Sequence, residues 1–186
     1  AGPRQDARAR GGGRPAIVSG GTADRTNAMR RLEACGASYT PLTVPLSGAD
    51  TVSAVEAASL LQRGTDEVFK TLVTVGRSRE HYVFVVPGGR ELDLRKAARA
   101  VGEKSVEMVR SKELLPLTGY VHGGCSPVGM KKPFRTVVDA SAEGLATIVV
   151  SAGKIGRMME LSLEDLRRAV DFTTEDLTAE QAAVPS

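Results

Sequence analysis

The chain has 186 residues and a formal net charge of +3, long enough to bury a hydrophobic core in one domain without metals or disulfides. Four arginines (Arg4, Arg8, Arg10, Arg14) against Asp6 place that whole excess in residues 1–22. The rest is neutral overall, so the pI of about 9.0 does not describe a basic domain, and any site for a polyanion must be a local patch. Apolar runs such as Tyr82–Val86 and Ile148–Val150 are too short to span a bilayer. With no charged-then-apolar leader and two cysteines, Cys35 and Cys125, that give no disulfide framework, we expect a soluble protein of the cytoplasm with no membrane partner.

Residues 1–22 are rich in Gly, Arg and Pro and read as a flexible arm, a solvated tail in preference to an RNA-contacting one. Thr26 or Asn27 can cap a helix bearing Met29, Leu32 and Cys35 at helical spacing, with Gly36 as its stop and Cys35 as a small core residue. Residues 38–44 read as extended. Ser53 and Glu56 form a capping-box pattern for a helix that Gly64 ends. Glu67–Val75 and His81–Val86 read as two strands joined by the polar turn GRSRE.

Asp93 caps a helix through Val101, stopped by Gly102. Ser105–Val109 reads as a strand, and a short helical turn from Ser111 is limited by Pro116. Phe134–Val138 and Leu145–Ser151 read as strands about a turn at 139–144, followed by a strand at Arg157–Leu161 and a helix opened by Ser162 and Asp165. From about Thr173 the chain reads as polar and frayed. The expectation is an α+β domain at 23–172 with a polar tail at 173–186. Its sheet would be curved, mostly antiparallel but mixed, barrel-like and surrounded by helices.

Two features carry chemistry. GYVHGGCSPVG, Gly119–Gly129, holds a thiol, a hydroxyl and an imidazole among four glycines. A thiolate nucleophile at Cys125 would need His122 or another positive partner at hydrogen-bond distance. Glycines on both sides would instead let consecutive N–H groups converge on a carbonyl oxygen or oxyanion. We prefer this backbone cradle to the nucleophile, and to an ordinary turn. Lys70 is the second feature, a lysine among apolar neighbours on a strand. It fits both an edge-strand lysine that snorkels to water and a point charge placed for a phosphate or carboxylate. No zinc-ligand spacing, phosphate loop or dinucleotide fingerprint is present, so neither metal nor cofactor is expected.

The ordered series TNAMRRLE, VFKTLV, LDLRKAARAVG, KSVEM, TGYVHGGCSPVGMKK, TVVDAS and ATIVVSAGKIG resembles the YbaK/EbsC family of trans-editing aminoacyl-tRNA deacylases over about residues 26–170. That family shares its fold with the editing domain of prolyl-tRNA synthetases. The resemblance implies removal of cysteine from proline tRNA, and also from cysteine tRNA, by substrate-sulfur-assisted ester cleavage, or removal of alanine or another small residue. It gives Lys70 and Gly123 catalytic roles, with Lys70 facing the charged tRNA end. Gly124, Ser126, Pro127, Ser151, Gly153 and Lys154 would bind substrate, and Lys131, Lys132, Arg135 and Arg157 would supply an acceptor-stem patch. It also implies a transient complex with prolyl-tRNA synthetase, and, as nothing in the sequence suggests an obligate assembly, a monomer is expected. The sequence departs from the cysteine type at Met158, where that type carries an acidic residue, and at Val44, where it carries an aromatic one. A non-catalytic tRNA- or synthetase-binding module is the alternative of another class.

Overall fold

The computed structural model describes residues 25–180 apart from 47 and 49. The arm at 1–22 and the end of the tail at 181–186 lie outside the described residues. Helix α1 (Asn27–Ala34) is capped by the Thr26 hydroxyl, which accepts from the Met29 amide. Strand β1 (Thr40–Thr43) follows, then α2 (Ala54–Leu60), whose Ser53 cap accepts from the Glu56 amide. This helix stops short of Gly64, because Gln62 itself turns left-handed at φ 56°. Strands β2 (Phe69–Gly76) and β3 (His81–Pro87) form the expected antiparallel hairpin, with Lys70 opposite Val86. Asp93 caps α3 (Leu94–Val101), and β4 (Val106–Met108) comes next.

Helix α4 (Ser111–Thr118) runs through Pro116 instead of ending there. It stops at Gly119, in the left-handed conformation at φ 84°. The remaining elements are β5 (Arg135–Asp139), β6 (Ile148–Lys154), β7 (Arg157–Leu161), α5 (Leu163–Ala169) and β8 (Phe172–Glu175).

Two sheets result, one of three strands in the order β1-β7-β6 and one of five in the order β4-β2-β3-β5-β8. Strand β5 pairs parallel with β3 and with β8, while the other four pairings are antiparallel. The α+β class and the mixed, mostly antiparallel character hold. No closed barrel is found among the described residues: the strands form two sheets, which touch through a parallel bridge between Val68 and Val149. Two further local expectations, about β5–β6 and the end of the chain, are corrected. Strands β5 and β6 do not form a hairpin, because residues 140–144 make a 3-10 turn that carries the chain from one sheet to the other. Nor is the chain frayed at Thr173: β8 adds to the sheet edge, and the fully buried Leu177 donates its amide to Asp139 Oδ1.

Burial explains the apolar run in β3. Val83 and Val85 face the main core with Phe69, Ile148 and Met159, while Tyr82, Phe84 and Val86 face a second core under α3. A strand covered on both faces loses its alternation. Ala97 and Ala98 keep α3 close to that second core. A third cluster packs α2 through Ala57 and Ala58 onto Val44, Val68, Val149 and Met158. Cys35, expected in the core, caps α1 at intermediate burial.

Candidate active site

A cavity of about 530 Å3 opens where the start of β2 leans on β6, roofed by the start of α2 and by the segment 108–114. Lys70 lines it. Strand β4 pairs with β2 only over Thr74–Gly76, so at Lys70 the edge away from β3 is locally open. The side chain is 26% exposed, and its Nζ lies 3.5 Å from Gly88 O and 3.9 Å from an oxygen of the exposed Glu91. A contact of that length to a solvated carboxylate contributes little. The lysine thus sits at an open strand edge, and that edge is the cavity wall.

The glycine loop supplies the opposite wall through His122, Gly123 and Cys125. Gly123 is left-handed at φ 85° and packs on Thr51. The Gly124 amide donates to Val121 O at 3.0 Å and closes the turn. The Gly123 and Cys125 amides have no hydrogen-bond partner among the described residues. Cys125 is buried, and burial pushes its thiol up to about 12. No hydrogen bond joins it to His122 among the described residues, so neither condition for a thiolate nucleophile is met. Ser126 is fully buried, and its hydroxyl accepts from the Val128 amide. Ser126 and Pro127 shape the loop from behind without lining the cavity.

Ser151, at the end of the regular part of β6, lines the cavity and accepts from the Gly153 amide at 3.1 Å. A register shift after it lifts Gly153 and Lys154 away from the lining. Gly153, at φ 96°, lets the Tyr120 ring approach: a Cβ there would fall 2.7 Å from Cε1. The Tyr120 hydroxyl donates to Val128 O. Gly124 rests on the Lys154–Ile155 backbone, where a Cβ would come within 3.1 Å of the Ile155 nitrogen. The two glycine loops are thus pressed together, and a buried tyrosine ties them.

The four cations assigned to an acceptor-stem patch do not line the cavity. Lys131 lies along Gly119 and Lys132 is exposed. Arg135 donates to the carbonyls of Ala100 and Val101 at the end of α3, and Arg157 sits on β7 opposite Thr43 and Lys154. The lining contains residues the sequence did not assign to a site: Thr51, ahead of α2, Ser53 and Glu56, read only as that helix's capping box, Thr71, and Arg110 and Leu114 of α4 and its cap. The buried Thr71 hydroxyl oxygen has no hydrogen-bond partner among the described residues. Adjacency to Lys70 was the one signal for Thr71; the others arrive through long-range packing. Both departures, Val44 and Met158, are cavity residues and make its wall apolar. Among the described residues no group of three or more His, Cys, Asp or Glu is placed to hold a metal ion, and no helix is long and apolar enough to cross a membrane.

The family described as "Aminoacyl-tRNA editing domain" matches residues 48–169. The chain is 41% identical over 160 residues to "Putative Cys-tRNA(Pro)/Cys-tRNA(Cys) deacylase EbsC" of Enterococcus faecalis, covering 86% of this chain and 97% of that protein. It is 30% identical over 105 residues to a proline–tRNA ligase of Pelobacter propionicus, covering 56% of this chain and 18% of the ligase. A crystal structure described as "a putative trans-editing enzyme for prolyl tRNA synthetase" superimposes with a TM-score of 0.72 at 29% identity, over 83% of this chain and 98% of the other.

Proposed function

The chain belongs to the aminoacyl-tRNA editing domain family, and we propose that it is an aminoacyl-tRNA deacylase that removes cysteine from mischarged proline tRNA. The observation that carries this reading is a cavity of about 530 Å3, roomy enough for an aminoacyl group together with part of the nucleotide that bears it, with a lysine and two unengaged loop amides among its lining residues and no activated nucleophile. Such a site suits a substrate that brings its own nucleophile. The cysteinyl sulfur attacks its ester carbonyl, a C–S bond forms and the C–O ester bond breaks. The thiol proton passes to the departing ribose oxygen, leaving free tRNA and a cyclic thiolactone.

In this mechanism the amides of Gly123 and Cys125 stabilise the developing oxyanion, each such donor contributing about 3 kcal/mol to the barrier reduction. Lys70 holds the charged end of the tRNA, and Ser151 borders the aminoacyl group. Gly124, Ser126, Pro127, Gly153 and Lys154 act by fixing the shape of the two loops. Lys131, Lys132 and Arg157 remain proposed acceptor-stem contacts. The apolar wall made by Val44 and Met158 favours a second reading, in which alanine is the residue removed. Alanine has no side-chain nucleophile, so water would have to attack.

Incubating Cys-tRNA(Pro) and Ala-tRNA(Pro) with the protein in EDTA, and identifying the released product, separates these readings. Thiolactone from the cysteinyl substrate supports the first, and free alanine released faster than cysteine supports the second. Binding without release from either would mark a non-catalytic module. Similarity to synthetase editing domains supports a transient complex with prolyl-tRNA synthetase in the cytoplasm; unchanged editing when that synthetase is added would refute the complex.

A further inference from the structure

The strand that borders the cavity leads to a second concavity of different character. A groove of about 390 Å3 lies between α3 and β4, with Arg95, Arg99 and Lys104 among its lining residues. Arg95 and Arg99 are four apart on α3 and so share a face, an arrangement that costs an isolated helix about 0.2–0.5 kcal/mol. Neither is in a salt bridge among the described residues, whereas the neighbouring Lys96 is paired with Asp176 at 2.9 Å. The β2–β3 turn closes on the same end through the Arg77 amide, which donates to Ser105 O. In that turn Arg79 is left-handed at φ 78°, a conformation that costs a side-chain-bearing residue roughly 1–2 kcal/mol. One carboxylate, Glu103, lines the groove as well, held by the Ser78 amide and hydroxyl, and Glu80 and Glu107 stand in the adjoining turn and strand.

The chain along β4 links the groove to the site. Lys104, Ser105 and Val106 line the groove, and Met108, Val109 and Arg110 line the cavity. Four residues of extended chain between Val106 and Arg110 span about 13 Å. Arg110 at the cavity end is a poor choice for local stability. As the cap of α4 it offers the helix amides no side-chain acceptor, and it sets a cation at the positive end of the helix dipole. Cations retained at several local costs, lying along one path to a reaction cavity in a domain otherwise near neutral, fit a polyanion that must reach that cavity.

We propose that the strip from the α3 groove along β4 to Arg110 is the docking surface for the sugar–phosphate backbone of the tRNA, apart from the aminoacyl pocket. The proposal rests on the deacylase reading above. Arginine meets phosphate oxygens bidentately and without regard to sequence. With aromatics at 4% of the chain, base stacking is a minor grip.

The test is the double variant Arg95→Glu/Arg99→Glu, assayed on full-length Cys-tRNA and on cysteinyl-CCA trinucleotide across a KCl series. On the full tRNA KM should rise tenfold or more with kcat unchanged. The slope of log KM against log salt should fall by at least about 1.4, for two lost phosphate contacts. The trinucleotide should lose no more than twofold in kcat/KM. An unchanged KM and slope, an equal loss on the trinucleotide, or a loss seen only with prolyl-tRNA synthetase present would overturn the proposal, the last in favour of a protein partner. Anisotropy with uncharged tRNA keeps the two readings apart. Wild type that binds it through Arg95 and Arg99 yet deacylates nothing refutes the deacylase and leaves the surface standing. For Arg110→Ser, an unchanged or raised Tm with a raised KM is expected; a lowered Tm with an unchanged KM would remove Arg110 from the strip.

Discussion

Replacing Gly153 by alanine should unfasten the two glycine loops. The residue sits at φ 96°, and the new Cβ would lie 2.7, 3.3 and 3.4 Å from three carbons of the Tyr120 ring. The far end of the ring is held, since its hydroxyl donates to Val128 O and lies close against the Gly129 backbone. Left-handed backbone costs a residue with a side chain roughly 1–2 kcal/mol, and overpacking a filled site costs typically 1–3 kcal/mol. The loss of stability should therefore be about 2–5 kcal/mol, read by urea denaturation. Gly102 is also left-handed, at φ 73°, but has nothing within 4 Å of its Cβ position, so Gly102→Ala isolates the backbone cost at about 1–2 kcal/mol. If Tyr120 shifts, it moves Val128 and the loop that carries Gly123, and deacylation should fall at least tenfold in the part of Gly153→Ala that remains folded. A loss below about 0.5 kcal/mol with unchanged deacylation would refute the claim that Tyr120 holds the loops in register.

Cys125→Ala should keep turnover within about threefold, because a thiol held near 12 is essentially un-ionised at neutral pH; a hundredfold loss would restore the nucleophile. The same burial gives a stability signature. With the folded thiol near 12 and its ordinary value near 9, the native state holds the proton longer, so stability should decline from about pH 9 up to pH 12. Burial raises Tyr120 in the same direction, and Cys125→Ala should flatten part of that decline in denaturation curves taken at pH 8 and pH 10.5. Met158→Ala, at a buried cavity wall, should cost about 2–3 kcal/mol and admit bulkier aminoacyl groups. Unchanged relative rates on Cys-, Ala- and Ser-tRNA would show that Met158 does not shape specificity.

Local chemistry made much of this fold legible. Thr26, Ser53, Asp93 and Ser162 each cap a helix as their side chains allow, and the β2–β3 hairpin follows from the polar turn between two apolar runs. The errors arise where long-range packing decides. The spacing of β5 and β6 suits a hairpin, yet β5 finds parallel partners in β3 and β8 and is covered on both faces. Strand β8 is polar in sequence and owes its order to the edge it completes. Pro116 can sit inside α4 because a proline interrupts one amide bond, and only Leu117 and Thr118 of the helix lie beyond it. Within the site, Lys70, Gly123 and Ser151 are recognisable from their segments. Thr51, Glu56 and Arg110 belong to it only because α2 and α4 pack over the open edge of β2, which no window of sequence contains.

The most direct test of the account is deacylation of Cys-tRNA(Pro) and Ala-tRNA(Pro) by wild type and Lys70→Ala in parallel, with EDTA present. Loss of a charged contact contributing about 1.5–3 kcal/mol lowers kcat/KM by roughly 10- to 150-fold. Rapid release of cysteine by wild type, reduced to that degree in the variant while its Tm is kept, is the predicted result. No release from either substrate by folded wild type, or full activity in Lys70→Ala, would contradict it.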